Sequence, residues 1–62
     1  MSEMQKQIKA LKVLLSQLEA SQARIMSDSK LSDNRKSEAK SYFDHAINKC
    51  KDDIAYLEYW DN

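Results

Sequence analysis

Met4, Ile8, Leu11, Leu15, Leu18, Gln22 and Ile25 follow one another at steps of four, three, four, three, four and three. That alternation places seven side chains on one strip of an α-helix, and six of them are apolar. The chain contains no glycine and no proline. Nothing in its backbone chemistry therefore kinks a helix or readily supplies a left-handed turn. Such a chain is predicted to be all-α, with helices that bury their apolar strips against other helices.

The helical pattern is interrupted once. Ser27-Asp28-Ser29-Lys30-Leu31-Ser32-Asp33-Asn34 holds three serines, two aspartates and an asparagine. These side chains hydrogen-bond their own backbone and compete with helix. Helix 1 is accordingly expected over about 2–27, a turn over about 28–32, and helix 2 over about 33–60. Ser2 and Gln5 have the S-x-x-Q spacing of a capping box, and Glu3 suits the positive end of the helix dipole. Ser32 with Asp33 reads as the cap and first turn of helix 2. Without glycine, the exit from helix 1 needs Asn, Asp or Ser, or a turn that avoids the left-handed region. The competing possibility is one unbroken helix about 90 Å long.

Helix 2 carries its own strip, Phe43, Ile47, Cys50, Ile54 and Leu57, again at alternating steps of four and three. Ala39, Ala46 and Trp60 widen it on one flank, as Leu14 does on helix 1. A wide strip predicts more than one neighbour per helix. Lys6, Lys9 and Lys12 lie early in helix 1, and Asp52, Asp53, Glu58 and Asp61 lie late in helix 2. Folding back antiparallel brings the two groups together, with each exposed pair worth roughly 0–1 kcal/mol. The fold expected is an antiparallel two-helix hairpin assembling into a four-helix bundle or higher homo-oligomer.

Size points the same way. A chain of 62 residues is one domain at most, and a compact chain of this size buries only roughly 60% of its unfolded surface. Chains this short usually draw on disulfides, metals or oligomerisation. Cys50 is the sole cysteine, and Cys50 with His45 is too few for a zinc site. No cofactor is implied, and oligomerisation is the support left. The oligomer core is assigned to Met4, Ile8, Leu11, Leu15, Leu18, Ile25, Phe43, Ile47, Cys50, Ile54 and Leu57.

Ten Lys plus Arg balance ten Asp plus Glu, which argues against a nucleic-acid binder. No apolar run is long enough to span a membrane, and Lys6, Lys9 and Lys12 break up any signal-peptide pattern. One cysteine and no export signal lead us to expect a cytoplasmic setting. The start at Met1, with no tag visible, leads us to expect a complete small product. A chain of this kind is expected to be a regulator or subunit rather than an enzyme.

Five features have a functional reading. Gln22 is the polar member of the first strip: either it sets register, as buried polar residues do in coiled coils, or it reaches water near the turn. The second is preferred. Arg24, Lys30, Arg35, Lys36 and Lys40 make the turn end basic. Of these, Arg24, Arg35, Lys36 and Lys40 are the candidate anion-binding residues, with Arg35 and Lys36 near a helix start. Asp28, Asp33 and Glu38 are close enough to make this an ordinary solvated end, which is the preferred reading. Tyr56, Tyr59 and Trp60 form the candidate contact patch for a protein partner. In that patch Trp60 is expected to cap the core against Met1 and Met4, leaving Tyr56 and Tyr59 freer. Tyr42, Asp44, His45 and Asn48 line part of helix 2, but one helix face offers no cleft for acid–base catalysis. Cys50 is read as a small apolar core residue.

In size and helix pattern the chain resembles small dimeric hairpins that regulate plasmid RNA pairing, and small viral hairpin proteins that block host defences. No functional residue is carried over from either. The expected function is a helical protein-interaction module that regulates or inhibits a larger protein or complex. An oligomer sequestering an anionic small molecule, such as a nucleotide signal, is the alternative. A nucleic-acid-binding regulator is the third.

Overall fold

A computed structural model describes residues 2–61 of the chain. The protein is all-helical, with α1 (Glu3–Met26) packed against α2 (Asp33–Asp61). The helices run antiparallel, because side chains early in α1 meet side chains late in α2: Gln5 with Asp61, and Lys12 with Glu58. The body measures 44 × 16 × 11 Å, about half the length of the single unbroken helix.

Local chemistry explains each helix end. Ser2 Oγ accepts the Gln5 N–H at 3.1 Å, closing the start of α1. Only half of the capping box forms. The Gln5 side chain donates to Asp61 Oδ2 at 3.4 Å, so it ties the two termini of the hairpin instead. At the other end of α1, Ser27 N–H donates to the Ala23 carbonyl and Ser27 Oγ donates to that of Arg24. Ser27 has φ −96° and ψ 1°, and no described residue has a positive φ. The chain therefore leaves α1 without the left-handed residue that glycine usually supplies. Asp28 then accepts the Lys30 N–H on its carboxylate at 2.9 Å, an Asx-type turn. Ser32 Oγ accepts the Arg35 N–H at 3.2 Å and caps α2.

Packing along the shared strip is thin. Ile8, Ile47, Cys50 and Ile54 are the buried apolar residues of the hairpin. Met4, Leu11, Leu15, Leu18 and Leu57, partly buried, pack against Ile8, Cys50 and Ile54, and Ile25 and Phe43 are half-buried toward the turn. Cys50 is the most enclosed of the buried four, at 3% exposure. Its thiol donates to the Leu11 carbonyl oxygen at 3.2 Å, so it joins the helices by a polar contact as well as by its volume.

Candidate functional site

The aromatic end is open to solvent. Tyr56, Tyr59 and Trp60 occupy the last described turns of α2. Trp60 is 59% exposed, and Tyr56 and Tyr59 are more so. Trp60 meets the edge of Tyr59 at 5.2 Å between ring centroids and that of Tyr56 at 6.2 Å. These are favourable edge-to-face geometries. The expectation that Trp60 caps the core is corrected: its ring lies among the tyrosines, not over the seam. The reason is angular. Trp60 follows Leu57 by three residues and Ile54 by six, which carries it off the buried strip by more than a quarter turn. The other half of that expectation, a contact with Met1, lies outside the described residues.

At the turn end one of the four candidate cations is engaged by a carboxylate. Lys40 Nζ is held by Asp44 at 2.7 Å. Among the described residues, Arg24, Arg35 and Lys36 form no ion pair with a carboxylate. Arg24 lies in the last turn of α1, while Arg35 and Lys36 lie in the first turn of α2. One amide donor of that first turn is already taken by Ser32 Oγ. A single hairpin thus holds these basic residues at one end, and among the described residues only Lys40 of the four is in an ion pair.

Gln22 answers differently from the preferred expectation. Its Nε2 donates to Asp44 Oδ1 at 2.8 Å, in a part-buried contact between the helices. Asp44 therefore takes Lys40 and Gln22 together, and these hydrogen bonds hold its carboxyl below the usual 3.8, the one from Lys40 contributing most. No sequence signal marked Asp44 as the partner; it required the register of two helices at once.

The lysine and aspartate clusters meet less completely than their positions implied. Lys12 pairs with Glu58 at 3.3 Å, and among the described residues it is the sole ion pair between the helices. Lys6 lies 3.9 Å from Glu3, one turn away. Asp53 is taken by Lys49 of its own helix at 2.9 Å, and that hydrogen bond raises the lysine above its ordinary 10.5. Partners one turn apart are met without any help from tertiary structure, so they win over partners across the hairpin.

Among the described residues, no three His, Cys, Asp or Glu side chains sit close enough to hold a metal ion. No described helix is long and apolar enough to cross a membrane. No known protein family, curated protein or solved structure matches the chain.

Proposed function

We propose that this hairpin is a non-enzymatic protein-interaction module. It self-associates into a four-helix bundle or larger homo-oligomer, and it regulates or inhibits a larger protein through its open aromatic end. The observation that supports this reading is the surface a lone hairpin leaves in water. The accessible area is 4927 Å², whereas a compact folded monomer of 7.2 kDa exposes about 4,100 Å². The surplus includes large apolar side chains: Val13, Leu14, Tyr42, Tyr56, Tyr59 and Trp60 are all exposed. Of these, Tyr56, Tyr59 and Trp60 pack against one another, and a contiguous exposed apolar patch is the usual mark of a contact surface.

Tyrosine and tryptophan are favoured at binding hot spots because they present a broad rigid face and a polar tip. A preformed hairpin also loses little freedom when it docks. Two measurements test the reading. Light scattering on the pure chain is expected to return at least twice the mass of one hairpin. The Tyr56→Ala/Tyr59→Ala variant is expected to lose partner capture while its helical circular dichroism stays intact. Undiminished capture by that variant would remove the aromatic end from the proposal.

A further inference from the structure

The two broad faces of the hairpin differ in chemistry. On one, Lys12 pairs with Glu58, and Lys40 and Gln22 meet Asp44. The other is reached by turning about a quarter circle from the buried seam toward Leu14, at ~100° per residue. There α1 presents Gln7, Ala10, Leu14, Gln17 and Ser21, again at steps of three and four and with no charge among them. Glu3 extends this row at one end and Arg24 at the other. On the same side, α2 presents Tyr42, Ala46 and Trp60, with the Lys49–Asp53 pair between them. Leu14 is 44% exposed and Tyr42 68% exposed, so the hairpin itself does not use this face.

The pattern on that face is symmetric about its middle. Glu3 and Arg24, of opposite charge, flank Leu14 at nearly equal distances along α1. Tyr42 and Trp60 each lie nine residues from position 51 of α2. Lys49 and Asp53 each lie two residues from it. The cross-helix contacts Gln5–Asp61, Gln22–Asp44, Lys12–Glu58 and Cys50–Leu11 join residues whose numbers sum to 66, 66, 70 and 61, about 66 on average. Leu14 therefore stands beside about position 52, and the centres of the two rows lie about one residue apart.

Building on the self-association proposed above, we infer that this face binds a second copy of the same chain, with the two hairpins pointing in opposite directions and Leu14 on the two-fold axis. A two-fold axis across the helices at this level brings Glu3 to Arg24 of the second copy, Tyr42 to its Trp60, and Lys49 to its Asp53. Leu14 meets its own counterpart. Stacking the hairpins in the same direction would instead lay α1 over the other α2, with Arg24 level with the copy's Tyr42 and Glu3 and Arg24 no longer opposed. The face is also large enough. An outline of 44 × 16 Å encloses about 700 Å², near the ~800 Å² each partner contributes to a standard stable interface. Tyr59 points about 100° away from Trp60 and stays free for another partner.

Crosslinking decides orientation. In a Cys50→Ala background, the Leu14→Cys variant is expected to form a disulfide-linked dimer on mild oxidation, since only groups near the axis meet their own copies closely enough. Leu14→Lys is expected to give a monomer by light scattering. Glu3→Arg places like charges together and is expected to weaken association by about fivefold; adding Arg24→Glu to it restores association. This rescue does not depend on how well the Leu14 variants fold. If the wild-type chain is oligomeric but Leu14→Cys does not crosslink and the rescue fails, another face carries the contact and only this inference falls. A wild-type chain that is monomeric overturns both the inference and the self-association it rests on.

Discussion

Single residues carry unequal weight in so thin a core. Ile54 is one of four buried apolar side chains, and it has neighbours from both helices. Truncating a buried isoleucine to alanine removes its transfer energy and leaves a cavity, for a cost of about 2–5 kcal/mol. A chain of this size holds little more than that in reserve, so Ile54→Ala is expected to unfold most of the population, read as loss of helical circular dichroism. Asp44 acts through charge. Its carboxyl sits below the usual 3.8 because Lys40 and Gln22 hydrogen-bond to it. A group with a lowered folded pKa adds stability that is complete above its unfolded value and is lost as pH falls through the folded one. Lys49 mirrors this: its raised pKa adds stability that is complete below 10.5 and is lost as pH climbs through the raised value. Both contributions are present at neutral pH. Urea midpoints of wild type and Asp44→Asn should therefore differ near pH 7 and converge as acid protonates the wild-type carboxyl. A gap that persists unchanged to low pH would show that the charge of Asp44 plays no part.

At the scale of elements, the two helices owe their ends to serine. Ser2 and Ser32 cap the starts, and Ser27 closes the first helix through its own hydroxyl. Ser32→Ala removes the side-chain acceptor for the Arg35 amide and is expected to cost about 1 kcal/mol, measured as a drop in the urea midpoint with an unchanged slope. Ser32→Asp keeps an acceptor there and should leave the midpoint near wild type. The helical strips and the break between them were legible in the sequence because they rest on spacing and local hydrogen bonding. The contacts that depend on two helices together were less so. Gln22 was assigned to water because its partner Asp44 lies 22 residues away and enters only once the register is set. Spacing puts Trp60 on the flank of the strip with Ala39 and Ala46, and over the fourteen residues from Ala46 an α-helix drifts away from a strict seven-residue repeat. The candidate contact residues Tyr56 and Tyr59 were legible as a cluster. Their edge-to-face packing on Trp60 was not, since it depends on side-chain rotamers.

For the molecule as a whole, the decisive quantity is how much of each helix the other can cover. Two helices cover one strip apiece, and the four buried residues are what that arrangement yields in a chain of this length. The face centred on Leu14 and the aromatic end are the remainder. Trp60 belongs to both, so under the proposed pairing a second hairpin would cover Trp60 and leave Tyr56 and Tyr59 at the aromatic end. One consequence concerns the order in which the structure opens. Joining Gln22 to Asp44 closes a short loop through the turn, whereas joining Gln5 to Asp61 closes nearly the whole chain. Loop-closure entropy rises with the enclosed length, so the hairpin zips from its turn and unzips from its termini. Amide hydrogen exchange on a dilute sample should accordingly be slowest near Ile47 and Cys50 and accelerate toward Tyr56 and Trp60. The aromatic end would then be the most readily loosened stretch of the second helix, and a partner that grips it would act as a clasp on the open side of the hairpin.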